Sequence, residues 1–591
     1  MKKILKVGID FGTSTTVVRV LVDGSDTIDF VKDDKGNSVI PTIIFQRNNG
    51  KKLYGERAEK AISNGSEGLP IRNFKMDLLD PDEIKRDKAK EHIYDFLSYI
   101  YELYSNCEYS FPEHDETQVL ISCPAKWPES LRTYMKETVK QVGFGDNVND
   151  ISEPIAASIF SIKKHRKELL QKKIIATDKV LNVLMADLGA GTSDVTIFQL
   201  TIDEDGHVKC DKTLSYPNIS NPNTCGGREI DDLLAKDVLE KCGLSLDPQL
   251  FPAFAAKKWK EDLVSDSLKD EDVLSAPNYI IGKDGGNISV KEQIKAYKIN
   301  RNSFETLTSS HWEALYSIIR GAVMKYKEKC NIGAEDIDLI LLTGGHSLWY
   351  CVEDLFLGIG VNGFIGKDYK NDKGEIIPAL NFKKIKENPK LRIIREANPQ
   401  ETVANGLCLQ DSLIDVTTLS CNNVWVKFSV NEAESPKYQV VEIGDVIPLC
   451  KEFKFSMKKK HRLVNTDPDI YIYGYSGETL ANSKMDCTKV KLEKDPLLLK
   501  IFVTTITLGL LLIVDWWEYK CQIQVSIDSN NQLDYCGKVT QFHIVNKDGK
   551  PDKPSKVWEF KKNSNLGTLL AAFVAKMDKI FADQPLKLKK S

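Results

Sequence analysis

Two stretches of the sequence decide the fold: residues 4–16, ILKVGIDFGTSTT, and residues 181–194, LNVLMADLGAGTSD. In each, an apolar run typical of a buried strand ends at an aspartate, and a turn of glycine and threonine follows. Glycine lets backbone N–H groups approach an anion closely, and the hydroxyl side chains add donors. Residues 341–347, LLTGGHS, form a third turn of this kind. Phosphate is the anion that such turns are expected to hold.

The repeated aspartate favours a functional interpretation over a structural one. A single glycine turn after a strand is usually only a connection to the next element, and that interpretation would hold for either turn alone. Asp10 and Asp187 both lie at the strand end beside the turn. A carboxylate there can hold Mg²⁺ through water rather than repel the phosphate. Two matching turns therefore predict two related lobes that clamp a metal–nucleotide complex.

Strand and helix patterns alternate around these turns, which predicts a layered α/β fold. The expected strands include 17–22, 118–123 and 337–345, and the expected helices are 130–142, 154–171, 230–243 and 304–330. Beyond residue 420 the alternation becomes strand-like and predicts a separate β domain. Its expected strands include 424–430, 470–475 and 521–528, and a closing helix is expected at 565–581.

The composition argues against nucleic-acid binding, a zinc site and a disulfide framework. The 591 residues carry 81 Lys and Arg against 84 Asp and Glu, a net charge of -3, which leaves no electrostatic footprint for nucleic acid. The 13 cysteines show no CxxC pair and no histidine at ligand spacing, so they predict neither a zinc site nor a disulfide framework. A reducing cytosol fits this pattern. The first residues, MKKILKVGID, are expected to form a strand rather than a signal peptide, because Asp10 interrupts the apolar run.

Residues 497–514, LLLKIFVTTITLGLLLIV, leave two interpretations open. Their length is at the lower edge of a membrane span, and Lys500 is the only charge among them. Many of them are β-branched, however, and the expected strands on either side could not pair with each other across a membrane. We expect strand structure that forms or flanks a binding surface, with membrane attachment as the alternative.

These motifs resemble, in order and spacing, those of the actin-fold ATPases and among them the heat-shock protein 70 chaperones. Besides the three turns, the resemblance rests on residues 73–76 (NFKM), 122–127 (SCPAKW), 151–158 (ISEPIAAS), 226–231 (GGREID) and 398–406 (NPQETVANG). Residues 410–420, QDSLIDVTTLS, are similar to the hydrophobic interdomain linker of these chaperones. Sugar kinases and actins share the turns but lack this linker.

The resemblance implies an α/β fold in which a two-lobed actin-like, ribonuclease H-like ATPase domain is followed by a β-sandwich and a short C-terminal helix. The implied segments are a nucleotide-binding domain at 1–410 (lobe I at 1–186 and 380–410, lobe II at 187–379), a linker at 411–420, a β-sandwich substrate-binding domain at 421–545 and a helical tail at 546–591. Only about 50 residues follow Gly537, which predicts little or no helical lid.

The resemblance also assigns roles to individual residues. Asp10 and Asp187 would hold Mg²⁺ through its waters, and Lys75 would orient the attacking water. The implied catalytic set is Lys75, Glu153, Asp187, Thr192 and Asp194. The implied nucleotide-binding set is Gly12, Thr13, Ser14, Thr15, Gly189, Ala190, Gly191, Thr192, Gly226, Gly227, Lys260, Gly344, Gly345 and His346. Without the resemblance, Lys75 would be interpreted as a solvated surface lysine and Glu153 as the acid at a helix N-terminus.

Two positions depart from the family pattern. Ala190 replaces a usual glycine, and the third turn carries His346 and Trp349 where the family has small and basic residues. Either ring could stack on the purine, or Trp349 could belong to the core.

The implied function is that of a cytoplasmic, ATP-dependent molecular chaperone. Slow hydrolysis of Mg-ATP to ADP would gate the binding of an unfolded or dedicated protein client in the β domain. A J-domain co-chaperone and a nucleotide exchange factor are further implied partners, whereas nucleic acid and membrane are not expected partners. Two alternatives stay open: an ATP-binding scaffold or sensor with little turnover, and an actin-fold small-molecule kinase, which the linker disfavours.

Overall fold

The fold is seen in a computed structural model of the chain. It describes residues 2–561 apart from 26, 64–65, 81, 108–109, 125–126, 128, 217–224, 243–273, 276–296, 371–375, 420–422, 431–436, 443, 448, 463–469, 478–489, 492–513, 528–532, 545–546, 549 and 551–553. The chain divides into two compact units, Met1–Thr417 and Thr418–Ser591. Their boundary falls inside the segment 411–420, and the finer domain limits stay predictions.

The first unit is a mixed α/β structure, which confirms the expected fold class at that level. Its helices are α1 (Gly55–Ser63), α2 (Phe74–Asp77), α3 (Glu83–Cys107), α4 (Glu129–Val139), α5 (Glu153–Gln171), α6 (Gly227–Lys241), α7 (Arg301–Leu307), α8 (Ser309–Cys330), α9 (Tyr350–Leu357), α10 (Lys383–Glu387), α11 (Pro389–Arg392) and α12 (Thr402–Cys408). Its strands are β1 (Ile4–Phe11), β2 (Thr15–Val22), β3 (Asp29–Phe30), β4 (Val39–Pro41), β5 (Ile43–Arg47), β6 (Lys52–Tyr54), β7 (Gly68–Arg72), β8 (Glu116–Cys123), β9 (Val148–Ser152), β10 (Leu181–Leu188), β11 (Ser193–Ile202), β12 (Val208–Tyr216), β13 (Leu274–Ser275), β14 (Lys298–Ile299), β15 (Leu339–Thr343), β16 (Tyr369–Lys370), β17 (Ile376–Ile377) and β18 (Ile393–Arg395).

Two sheets of the first unit repeat one topology. The first has the order β3-β2-β1-β8-β9, with β4 also paired to β2, and the second contains the order β12-β11-β10-β15-β18. In each, the opening strand of the sheet pairs antiparallel with the strand that follows it in the chain and parallel with a later one. The last two strands are parallel in both. Each sheet therefore carries its opening hairpin, and the glycine turn of that hairpin, at an equivalent place.

The opening strands are buried, which explains why their sequences are mainly apolar. In β1 the side chains of Leu5, Val7 and Ile9 have no exposed surface, and in β10 the same holds for Val183 and Leu184. A strand that is covered on both faces reads as an uninterrupted apolar run rather than an alternating one. The helix α5 packs on β10, and the helix α12 packs on β1.

Two helices cross in close contact between the two sheets. A Cβ atom on Gly406 of α12 would lie 1.7 Å from the carbonyl oxygen of Ala156 of α5, so only glycine fits at this crossing. A Cβ on Gly8 of β1 would likewise lie 2.7 Å from the carbonyl oxygen of Ala404. The two helices that begin within the sequence motifs ISEPIAAS and NPQETVANG therefore pack directly on each other, and the second also packs on β1.

The next strand, β19 (Leu413–Leu419), crosses the boundary between the two units. In the strand order of the second sheet it lies next to β12. Thr418 and Leu419, in the second unit, pair antiparallel with β22.

The second unit consists of antiparallel strands. They are β20 (Asn423–Val430), β21 (Lys437–Val441), β22 (Val446–Ile447), β23 (Leu449–Arg462), β24 (Ile470–Gly477), β25 (Val490–Lys491), β26 (Val514–Ile527), β27 (Leu533–Ile544) and β28 (Pro554–Lys561). Two sheets of four strands have the orders β21-β20-β24-β25 and β23-β26-β27-β28. One apolar cluster joins Val424 and Val440 of the first sheet to Tyr519, Ile523 and Val539 of the second.

The local predictions hold where the pattern is long and regular. The helices at 154–171 and 230–243 and the strands at 424–430, 470–475 and 521–528 are confirmed. The single helix expected at 304–330 is wrong, because Thr308 separates α7 from α8. The helix expected at 565–581 and residues 497–513 lie outside the described part of the chain, although Val514 begins β26. No helix among the described residues is long and apolar enough to cross a membrane.

Candidate functional site

The first two glycine turns have the same hydrogen-bonded geometry. The N–H of Gly12 donates to the carbonyl oxygen of Thr15 at 3.0 Å, and the N–H of Gly189 donates to that of Thr192 at 2.9 Å. Each hydrogen bond closes the hairpin directly after a strand that carries an aspartate. A Cβ on Gly12 would lie 2.4 Å from the Thr15 carbonyl oxygen, so the first turn needs glycine.

The two turns lie against each other within the first unit. A Cβ on Gly191 would lie 3.1 Å from the hydroxyl oxygen of Thr13 and 3.0 Å from the sulfur of Met76. The second turn is thus in contact with both the first turn and the segment that carries Lys75. The structure brings the predicted phosphate-binding residues into one place.

The other two glycine segments converge on the second turn. Gly344 has φ +78° and would place a Cβ 2.2 Å from the Leu188 carbonyl oxygen. A Cβ on Gly226 would lie 2.5 Å from the Ala190 carbonyl oxygen, and the N–H of Gly227 donates to the carbonyl oxygen of Gly189 at 3.1 Å. The close backbone contacts at Gly226 and Gly344 explain why glycine occupies these two positions.

Lys75 is buried beside the first aspartate. Only 5% of Lys75 is exposed, and its ammonium group donates to the carbonyl oxygen of Phe11 at 2.6 Å and to the Glu153 carboxylate at 3.0 Å. The hydroxyl of Ser122 donates to Asp10 at 2.7 Å. The interpretation of Lys75 as a solvated surface lysine is therefore wrong. Glu153 begins α5, as expected of an acid before Pro154, and also faces inward to Lys75.

Burial and mutual repulsion shift the titration of these groups. Burial raises the pKa of Asp10 to about 7, and the charge of Glu153 adds to the rise. Burial raises the pKa of Asp187 well above its usual range, with further contributions from Glu153 and Asp194. Burial alone would lower the pKa of Lys75, but the charges of Glu153 and Asp10 outweigh it, and the pKa is raised.

The donor set fits a hard divalent cation. Asp10, Asp187, Glu153 and Asp194 offer carboxylate oxygens around the two turns, and the Lys75 ammonium group contacts one of them, Glu153. The positive charge of a divalent ion bound through water would offset the burial and the repulsion that raise the pKa values of Asp10 and Asp187. Carboxylates plus phosphate oxygens are the usual ligands of Mg²⁺. The residues present therefore fit Mg²⁺ carried by a phosphate ligand.

The remaining predicted site residues are distributed as follows. Asp194 is buried and lies opposite Asp187 in the β10–β11 hairpin, and Thr192 closes the turn between them. A Cβ on Gly345 would lie 3.1 Å from the side-chain nitrogen of Gln400. Lys260 lies outside the described residues.

The two rings of the third turn face protein neighbours. His346 stacks on Trp312 with ring centroids 5.5 Å apart, and Trp349 stacks on Phe304 at 4.6 Å. Both His346 and Trp349 are 4% exposed. Trp349 thus belongs to the core in this structure, and stacking of either ring on a purine stays a prediction.

Sequence reasoning missed a polar cluster that adjoins the third turn. Cys225, Glu229 and His311 lie together there, and His311 also contacts His346. The cysteine and His311 are 86 positions apart, and no local spacing pattern joins them. Only the packing of α8 against the start of α6 brings them into contact.

The chain is similar to several curated chaperone proteins. The chain is 26% identical over 423 residues to the chaperone protein DnaK of Thermotoga petrophila and to that of Thermotoga maritima. It is 27% identical over 422 residues to the chaperone protein DnaK of Thermosipho africanus. These alignments cover 70% of this chain and 60% of each relative, so the chain spans about 60% of the length of the curated relatives it matches. A scan against models of protein families found no match.

DnaK is a heat-shock protein 70 chaperone, and the similarity confirms the resemblance inferred from the motifs. The chain is thus similar, at 26 to 27% identity, to chaperones of the heat-shock protein 70 family.

Proposed function

We propose that the chain is a Mg²⁺-dependent ATPase of the heat-shock protein 70 type, in which nucleotide gates client binding in the C-terminal β unit. The observation that carries the proposal is the contact between two equivalent glycine turns, each beside an aspartate whose pKa is raised. Backbone N–H groups on both sides suit a phosphate chain, and the carboxylates suit its cation. The two sheets of equal topology would form the two lobes of an actin-like domain.

Each of the site residues would have its own role in hydrolysis. Thr13, Ser14 and Thr15 with Gly189, Ala190 and Gly191 would hold the β and γ phosphates, and Asp10 and Asp187 would hold the metal's waters. Mg²⁺, when bound, would supply neutralisation of the phosphate charge. Lys75, fixed by Phe11 and Glu153, would orient the attacking water, while Thr192 would contact the γ phosphate. Phosphoryl transfer depends mainly on positioning and charge, which this arrangement offers.

The second unit would hold the client. Its two four-stranded antiparallel sheets share one apolar core, as in a β-sandwich, and a sheet edge can bind an extended peptide through main-chain hydrogen bonds. We propose an unfolded or dedicated protein client, with a J-domain co-chaperone and a nucleotide exchange factor, in the cytoplasm. The strand Leu413–Leu419, next to β12, would be the element that responds to nucleotide.

Single-turnover hydrolysis of ATP by the full chain tests the proposal. Lys75→Ala should lose at least about a hundredfold in hydrolysis rate, because water is no longer positioned, and should still bind Mg-ATP. Lys88→Ala, which changes an exposed lysine, is the matched control and should hydrolyse ATP like the wild type. Equal rates in the wild type and Lys75→Ala would contradict the assignment.

Two other outcomes would redirect the function. Tight ATP binding without turnover in the wild type would favour the scaffold or sensor. This outcome is worth testing because Ala190 replaces a glycine that is usual in the second turn of the family. Phosphorylation of a sugar by the pure protein would favour the small-molecule kinase.

A further inference from the structure

Three potential metal ligands meet beside the second and third turns. Cys225 precedes α6, Glu229 lies in the first turn of that helix, and His311 lies near the start of α8. The Cys225 sulfur is 3.7 Å from Nδ1 of His311, and a Glu229 carboxylate oxygen is 2.8 Å from the same nitrogen. All three ligand atoms lie within 4.8 Å of one another.

The separations suit a tetrahedral zinc ion. Zinc binds sulfur at about 2.3 Å and imidazole nitrogen at about 2.1 Å, which places tetrahedral S and N ligands about 3.6 Å apart. The Cys225 sulfur lies 3.7 Å from Nδ1 of His311, close to this value, and 3.9 Å from Nε2, so the imidazole ring would have to turn until Nδ1 points at the metal. The 2.8 Å between His311 and Glu229 would have to open to about 3.3 Å, so the Glu229 side chain, which is 38% exposed, would have to shift outward when the ion binds.

Burial and charge favour a bound ion at this place. Cys225 and His311 are 3% and 2% exposed, so the sulfur and imidazole are shielded from water. A thiolate and a carboxylate together balance the charge of a divalent ion, which gives a neutral buried complex. The partly exposed Glu229 provides a path of entry from solvent. A cysteine–histidine–carboxylate set selects zinc over magnesium, which prefers oxygen ligands.

The second nitrogen of His311 already has the partner that a metal-bound imidazole needs. Nε2 of His311 and Nε2 of His346 lie 2.8 Å apart, and the two rings meet edge to face. With Nδ1 on the metal, Nε2–H of His311 would donate to His346. Such a hydrogen bond fixes the tautomer and the orientation of a ligating histidine.

We propose that Cys225, Glu229 and His311 form a zinc site with water as the fourth ligand. Binding forms the Zn–S, Zn–N and Zn–O bonds, releases the thiol proton of Cys225 to solvent, and changes no oxidation state. Burial raises the pKa of the Cys225 thiol to about 12, so the metal has to displace a proton that the metal-free protein retains.

The site would tie the nucleotide turns to the helices behind them. Cys225 adjoins Gly226 and Gly227, which contact the second turn, and His346 belongs to the third. A zinc ion at Cys225 and His311 would fix the start of α6 against α8. The site does not depend on the proposed ATPase, because its ligands bind metal whether or not ATP is hydrolysed.

Cobalt binding by the full chain tests the site. The protein, prepared with reductant and freed of metal by a chelator, should bind one Co²⁺ with the near-ultraviolet charge-transfer absorption of a cobalt–thiolate bond, and Zn²⁺ should abolish the absorption. Cys225→Ser should lose that absorption, and His311→Gln should weaken Co²⁺ binding at least about tenfold. Cys210→Ser, which changes a buried cysteine elsewhere, and His207→Gln, which changes the exposed cluster of Asp203, Asp205 and His207, should behave like the wild type.

The proposal is overturned if the wild type shows no cobalt–thiolate absorption, or if the absorption persists in Cys225→Ser. Cys225, Glu229 and His311 would then form only a hydrogen-bonded network. X-ray absorption at the zinc edge of the wild type gives a second measurement that needs no variant. One sulfur ligand with nitrogen and oxygen neighbours supports the site, and a shell without sulfur refutes it.

Discussion

Replacing Asp10 by asparagine is expected to stabilise the nucleotide-free protein at pH 8 and to weaken its stabilisation by Mg-ATP. Burial, followed by the charge of Glu153, raises the pKa of Asp10 from 3.8 to about 7 in the folded chain. Between these values the unfolded chain has lost the proton that the folded chain keeps. Unfolding therefore releases a proton, and the free energy of unfolding falls as the pH rises through this interval.

The size of the change in the free energy of unfolding follows from the difference between the pKa values of Asp10 in the unfolded and folded chain. The difference between 3.8 and about 7 corresponds to at most about 4 kcal/mol at pH 8, since Asp10 keeps some contact with solvent. At pH 5 the destabilisation of the folded chain by the buried Asp10 carboxyl group falls to about 1.5 kcal/mol. Asparagine is neutral at both pH values, and its Oδ1 can still accept the hydrogen bond from Ser122. For a unit of this size, 4 kcal/mol raises the Tm by about 4 °C.

Thermal unfolding at pH 5 and pH 8, with a metal chelator or with Mg-ATP, measures the effect. Asp10→Asn should melt higher than the wild type at pH 8 in chelator and should gain less from Mg-ATP, because it cannot hold the waters of the metal. Asp146→Asn, which removes an exposed carboxylate, is the control and should match the wild type. A Tm of Asp10→Asn at or below that of the wild type at pH 8 would refute the argument from buried charge.

Two further outcomes are expected from the same unit. Gly406→Ala should destabilise the unit by about 3 kcal/mol in urea unfolding, because the new Cβ would lie 1.7 Å from the Ala156 carbonyl oxygen. Asn405→Ala on the same helix is the control, and similar midpoints for both would contradict the helix contact. Amides of residues 413–417 should exchange with deuterium more slowly with ATP than without it, and equal protection in both states would argue against nucleotide gating.

The fold was predictable where local pattern and tertiary structure agree. The apolar runs of β1 and β10 and the glycine turns after them are properties of a few adjacent residues, so the sequence predicts them. The contact of Lys75 with Glu153 and the crossing of Gly406 over Ala156 depend on residues far apart in the chain. Such contacts leave no periodic signal, and here only the resemblance pointed to the first of them.

Two neighbouring parts of the linker segment contact different sheets of the first unit. Asp411 forms an ion pair with the buried Lys6 of β1, which also contacts Asp23 at 2.7 Å. A few residues later, the strand that begins at Leu413 lies beside β12 of the second sheet. So short a span cannot absorb a large rotation of one sheet relative to the other. Any such rotation on nucleotide binding would have to break either the Lys6–Asp411 pair or the pairing with β12, and residues 411–417 would change state together with the two turns.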